Sequence, residues 1–465
     1  MNVHDLADRN AEAHGERAMR FLLIALIALI ATADLFNIRM SLGRGLSAEN
    51  ALLYVLCVGL VFKLVAQQPF VFQLRALHAC FIVLIVYGVC SVLAAKFLVA
   101  YPRYSLIASG ISLKSRLVDQ VTYFLVFFYG LRESRNAHAV LRVLFMAVGV
   151  GGSIAVLNAL GIVQIGDVGE SDTGRVESIM GEPNQDAAFL ALFLPGLLAV
   201  MLRSSGVWIL IWGTALCASI VAFVLTASRG GLVAIVLASI WGSFLLRRSL
   251  PLSRIIPFVI TGTALIALLV VGLSLRFGDL LYTRLITDTF SSDMVGGSSG
   301  RLEFWSLGLG AMLNAPITLL TGFGWDVWSL MPFPRAPHNQ YLNLYFHLGV
   351  IGLTCVTALL ALLVREARAA IPFAPYTYKS VLMAFVIGLL AFATAAFFVD
   401  LYKPWMWCWA YAGLVMRMAV NIRAKASMVR PETKQPSAVL SPKDRFGWTG
   451  SAHRCAARRK AATTK

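Results

Sequence analysis

The sequence predicts an all-α polytopic integral membrane protein, with about twelve transmembrane helices and one large loop containing short helices. Two observations carry this fold class. Hydrophobic residues make up 58% of the 465 and charged residues only 14%, a balance too apolar for a soluble chain of that length. Apolar runs of about 20 residues, the length a helix needs to cross a bilayer, also recur along almost the whole chain.

Taken in order, the expected spans are 21–39, 50–66, 77–99, 117–131, 139–162, 185–202, 207–226, 230–246, 255–275, 346–364, 379–399 and 405–421. They divide the chain into an N-terminal arm (1–20), nine spans (21–275), a loop (276–345), three more spans (346–421) and a basic tail (422–465). The first apolar run, "FLLIALIALIATADLFNI", has no small-residue cleavage site and is expected to be retained as a span. With the N-terminus in the cytoplasm, Arg75, Arg132, Arg203, Arg247 and Arg365 fall inside, as the positive-inside rule requires.

The net charge is +17, and residues 423–465 hold eleven Lys/Arg against Glu432 and Asp444. This tail reads as a disordered cytoplasmic anchor near anionic membrane lipid, and no nucleic-acid partner is expected. Of the seven cysteines, Cys57, Cys80, Cys90, Cys217, Cys355 and Cys408 fall within expected spans, and their spacing matches neither a disulfide framework nor a zinc site. A lipid-glycan flippase or transporter needs polar groups near mid-membrane. Lys63, Lys96 and Arg142 are the nearest approach, and each lies within a turn or two of a span end.

Function is expected in the two long outer segments, 163–183 and 276–345. Arg175, Arg276, Arg284, Arg301 and Arg335 lie there, and with Arg229 they are on the side where positive charge is scarce, which calls for anionic partners. Arg229 sits in "LTASRGGLVA", where two apolar runs meet almost without a loop and Gly230 and Gly231 leave room for close approach. Arg301 follows Ser298 and Ser299, candidate helix caps, and opens a helix with Leu302, Trp305, Leu309 and Met312 as its apolar stripe. A cation in a first helical turn opposes the helix dipole, and with free backbone N–H groups beside it the position favours an anion.

Among seven histidines, His338 and His347 are available to the outer face, and His347 lies inside the expected tenth span. Pro332, Pro334 and Pro337 bias the approach to His338 toward an extended course, leaving a side chain able to exchange a proton near neutral pH. Asn339 is a candidate to orient it, Asn184 to cap a helix or touch a sugar, and Gly324 in "TGFGWD" to form a substrate-facing turn. Asp400 and Lys403 read as an exposed interfacial pair beside an aromatic anchor of Trp405, Trp407 and Trp409. No Asp-x-Asp metal motif is present; Glu170 and Asp172 are the nearest approximation on the outer face, and neither a metal nor another cofactor is expected.

The segments "SRGG" (228–231), "SSGRLEFW" (298–305), "TGFGWD" (321–326) and "HNQYLNLYFHLGVIG" (338–352), together with "GRVESIMGEPNQDAAFLALFLPG" (174–196), resemble the O-antigen ligase and polymerase superfamily. Many relatives have an acidic residue where His347 stands. The resemblance implies a helical bundle of the membrane glycosyltransferase type in the bacterial inner membrane, with its active site facing the periplasm. It implies transfer of a glycan from undecaprenyl diphosphate to a lipid A-core sugar, or to another glycan in polymerases. On that reading His338 is the catalytic base and Arg229 and Arg301 hold the diphosphate, with Asn339, Asn184, Arg175, Arg335 and Gly324 in support.

Overall fold

The computed structural model describes residues 3–36, 41–43, 46–66, 73–163, 175–249, 271, 273, 277–279, 281–287, 301–333 and 335–429. The helices are α1 (Val3–Phe36), α2 (Ala48–Ala66), α3 (Arg75–Leu93), α4 (Leu106–Leu113), α5 (Asp119–Tyr129), α6 (Ser134–Ala159), α7 (Pro183–Met201), α8 (Val207–Leu225) and α9 (Arg229–Leu246). They are followed by α10 (Arg301–Asn314), α11 (Ile317–Thr321), α12 (Gln340–Ala370), α13 (Tyr376–Ala395) and α14 (Lys403–Val429). A two-stranded antiparallel hairpin, β1 (Ser41–Gly43) and β2 (Leu46–Ser47), precedes α2, with Ser41 opposite Ser47.

Among the described residues nine helices are long and apolar enough to cross a membrane, so this is a multi-pass, all-α membrane protein. The expected span at 117–131 is the second part of a longer helical stretch. That stretch runs from α4 through a π-helical turn (Lys114–Val118) into α5, with Lys114, Arg116 and Asp119 at its centre. The span at 255–275 lies almost wholly outside the described residues, as do 430–465 of the tail.

The tenth span differs most from expectation. α12 starts at Gln340 and is broken at Gly349, whose φ of 59° and ψ of −162° lie outside helical geometry. The break frees the carbonyls of Phe346 and His347, which accept hydrogen bonds from the N–H groups of Phe323 (2.8 Å) and Gly324 (3.1 Å). This approach needs glycine on both sides. A Cβ on Gly349 would lie 2.1 Å from the Leu320 carbonyl oxygen, and one on Gly322 would lie 2.3 Å from that of His347. His347 therefore belongs to the short piece of α12 before the break, within the stretch Gln340–Phe373 that is long and apolar enough to cross a membrane.

In α10, Phe304, Gly308 and Met312, four residues apart, are buried, with Gly308 and Met312 against Trp328 and Phe346, whereas Leu302 and Leu309 of the expected membrane-facing stripe are exposed. Small Gly308 lets the Trp328 ring pack on the helix backbone, which selects this face over the bulkier one. Nor do the tryptophans of α14 form an interfacial anchor. Trp405, Trp407 and Trp409 are buried, with Trp405 edge-on to Phe392 at 4.9 Å and Trp409 edge-on to Phe81 at 5.2 Å. Aromatic rings gain more from such packing than from a headgroup contact when the bundle offers it.

Candidate functional site

His338 occupies the tight corner between the proline-broken loop and α12. Its φ of 47° is left-handed, a region uncommon for non-glycine residues, though more accessible to His and Asn than to branched side chains. Two contacts hold the corner. The His338 N–H donates to Asp400 Oδ2 (3.0 Å), and Asn339, the N-cap of α12, accepts from Tyr341 N and Leu342 N at 3.0 Å each. Asn339 thus serves the helix end through its oxygen.

Asp400 corrects the expectation of an exposed pair with Lys403. It is 3% exposed and accepts a second hydrogen bond from Asn343 Nδ2 (3.3 Å), while Lys403 instead pairs with Asp34 at 3.4 Å. The α13–α14 connection folds back onto α12: Gln340 N donates to the Ala396 carbonyl and Leu401 N to Gln340 Oε1, both at 2.9 Å. This tucks Asp400 under His338. Burial raises its pKa, opposed by the Asn343 hydrogen bond, the nearby His338 charge and its N–H, and the more distant Arg116.

The two candidate arginines begin helices. Ser228 caps α9 by accepting from Gly231 N (3.3 Å), and Arg229 is the first residue inside. Gly230 and Gly231 accommodate protein side chains and not a ligand, since a Cβ would meet Phe398 at 2.6 Å and Ala187 at 2.8 Å. Arg301 opens α10, but Ser298 and Ser299, its expected caps, lie outside the described residues. One turn on, Trp305 Nε1 donates to the Pro337 carbonyl (2.8 Å), fastening α10 to the residue before His338. Burial lowers the Arg301 pKa, the like charge of Arg229 lowers it further, and Glu182 and Asp400 oppose both. Arg229, Glu182 and Asp400 are thus the charges that act on Arg301, and His338 acts on Asp400.

Glu182 is the N-cap of α7, accepting from Asn184 N (3.3 Å) and Gln185 N (2.9 Å), with Pro183 as the first helical residue. Asn184 is accordingly not the cap. Its Oδ1 accepts from Arg175 Nη2 (2.9 Å) and Ser228 Oγ (3.1 Å), and its Nδ2 donates to Glu182 (2.8 Å). Arg175 also donates to the Thr226 carbonyl (2.7 Å), so the pair ties the start of α7 to the α8–α9 junction that presents Arg229.

Asp186, fully buried one turn into α7, accepts from Ser178 N (2.7 Å), Met180 N (3.1 Å) and the Ser178 hydroxyl. It anchors the segment carrying Arg175.

Arg335 is exposed, and only its carbonyl is engaged, by Trp328 Nε1 (3.0 Å). Gly324 packs against Ala95 and bonds to the α12 break, which is a folding task. Arg276 and the side chain of Arg284 lie outside the described residues, as do Glu170 and Asp172. Among the described residues no three His, Cys, Asp or Glu side chains gather as a metal site.

Sequence reasoning missed Glu182 and Asp186 and placed Asp400 at the surface. An acid between two apolar runs, as in "FFVDLYKPW", was the available signal for Asp400, but its partner is 62 residues away and no local spacing links them.

Residues 214–357 match a family model described as O-antigen ligase. The matched region includes Arg229, Arg301 and His338, while Asp400 and Glu182 lie outside it. No curated protein matches the chain.

Proposed function

We propose, from the O-antigen ligase family domain that the chain carries at 214–357, that it transfers a glycan from undecaprenyl diphosphate to a sugar hydroxyl of lipid A-core. The reaction takes place at the periplasmic face of the bacterial inner membrane. The observation that carries this reading is the His338 corner, held by Asp400, together with Arg229 and Arg301 in the first turns of their helices. A guanidinium binds phosphate oxygens through a planar fork, and a diphosphate offers two adjoining groups of that geometry.

In the proposed step, His338 takes the proton of the acceptor hydroxyl as that oxygen forms a bond to the anomeric carbon. The bond from that carbon to the diphosphate oxygen breaks on the opposite face, and the leaving group keeps its electron pair. The configuration inverts, and Arg229 and Arg301 stabilise the charge that grows on the departing oxygens. Asp400 holds the His338 backbone in its corner and lies next to an imidazole that becomes positive. No metal is required, because the arginines supply the positive field.

The test is transfer by purified protein in EDTA from undecaprenyl-diphosphate-linked glycan to lipid A-core. Wild type is compared with His338→Asn, a variant that tolerates the left-handed backbone but lacks a base. Transfer by wild type alone supports the reading. Lengthening of the glycan on its lipid carrier instead identifies a polymerase, the second reading of the same donor site, and equal transfer by His338→Asn removes the base from the mechanism.

A further inference from the structure

A cleft lies between α3, α5, the N-terminal piece of α12 and the start of α14. Its polar rim consists of Arg116, Gln120, Gln340, Asn343, His347 and Tyr402. Below them the wall is apolar, with Phe81, Leu84, Val356, Leu359, Trp405 and Trp409. The volume is ≈ 60 Å³, room for about four waters, or on the order of one hydroxylated ring.

Among the described residues, three groups at this rim have unused hydrogen-bonding or charge capacity. His347, 5% exposed, has an unbonded Nε2, and Gln120, 8% exposed, donates through Nε2 to the Ser115 carbonyl (3.2 Å) but has an unbonded Oε1. Buried polar atoms without a partner are uncommon, and two on one cleft mark a place where hydrogen bonds are missing. One is a donor or acceptor nitrogen and the other an accepting oxygen, a pair that suits hydroxyls. The third group is Arg116, which is exposed, stacks on the Tyr402 ring at 4.5 Å and makes no ion pair among the described residues. Asp326 and Asp400 sense its charge without bonding to it.

We propose that this cleft is the acceptor subsite: it takes a terminal ring of an anionic glycolipid, with hydroxyls on Gln120 and His347 and an anionic substituent on Arg116. The inference rests on the transferase reading above and deepens it. Asn343, which lines the cleft, donates to Asp400, and Asp400 accepts from the His338 N–H, so the cleft borders the His338 corner. A base that takes a proton from one substrate for attack on a second belongs at such a boundary. The apolar wall beneath the polar rim fits an acceptor that arrives in the membrane with its lipid portion below and its sugar above.

The experiment measures binding and transfer separately on the full-length protein. Binding of lipid A-core, with its phosphates intact or enzymatically removed, is measured in detergent for wild type, Arg116→Gln and Gln120→Leu. The KM values for acceptor and donor are then measured in the transfer assay. Loss of one charge-assisted contact predicts about tenfold weaker acceptor binding by Arg116→Gln. That loss disappears for the dephosphorylated acceptor, and donor KM stays within about twofold. Gln120→Leu weakens both acceptor forms alike. Equal acceptor binding by wild type and Arg116→Gln, or an equal rise in donor KM, overturns the subsite while leaving the transferase reading intact. Acceptor binding that depends on Arg116 in a wild type that transfers nothing sinks the transferase reading and leaves the binding site.

Discussion

Replacing Asp400 by Asn tests whether the 62-residue link between His338 and the α13–α14 connection supports turnover. The carboxylate is 3% exposed and accepts from His338 N at 3.0 Å and Asn343 Nδ2 at 3.3 Å. An asparagine keeps the shape but has one oxygen for two donors, so its own NH2 must face one of them. Loss of a hydrogen bond to a charged group costs about 1.5–3 kcal/mol, and a buried donor left without a partner costs a similar amount. The backbone of His338 is itself strained by about 1–2 kcal/mol in the left-handed region, and the Asp400 contact holds it there. Taking about 2.8 kcal/mol from the barrier-lowering geometry predicts a kcat about 100-fold lower. Donor KM should stay within about threefold, because the proposed diphosphate contacts are on other helices. The assay is glycan transfer per folded molecule, with folding scored by gel filtration and thermal unfolding in detergent. Full kcat in Asp400→Asn, or a loss that follows the amount of unfolded protein, refutes the reasoning. His338→Asn should cost about 10²–10⁴-fold, and adding Asp400→Asn to it should cost little more if the two act as a unit.

Arg229→Ala and Arg301→Ala should each lower kcat/KM for the donor by about 10²–10³-fold, and lysine at either position should restore little, since a point charge does not replace the planar fork. Burial lifts Asp400 above the ordinary carboxylate range, so its deprotonated, doubly accepting form is lost as pH falls sooner than a surface aspartate's would be. A kcat–pH profile should show an acid limb in both proteins, because the base His338 must be unprotonated, and the wild type should fall more steeply than Asp400→Asn as Asp400 also takes up a proton. Asp186→Ala strands three donors on Ser178 and Met180, and at about 1–3 kcal/mol for each the folded yield should collapse. Gly349→Ala places a Cβ 2.1 Å from the Leu320 carbonyl oxygen at a φ of 59°, and thermal stability in detergent should fall by more than about 2 kcal/mol.

The sequence by itself determined the class of this protein. The apolar runs require helices in a bilayer because no other element satisfies its backbone within one segment there. It also determined which side chains are candidates for chemistry, since Arg229, Arg301 and His338 are charged or titratable groups at the ends of apolar runs. The cap of α7 fell two residues from the expected Asn184, on Glu182, because a carboxylate before Pro183 can accept from two of the free N–H groups of the first turn.

Only the tertiary structure decided how these groups stand to one another. Asp400 reads as a surface acid in its own segment and becomes a buried partner of His338 only when the chain returns through α13. The buried face of α10 was decided by where Trp328 finds a small residue, and the break in α12 by the fit of the 320–324 segment into it. Composition and periodicity report what a segment requires of its surroundings. Which distant group meets that requirement is set by packing among helices far apart in sequence, and packing has no local spacing to read.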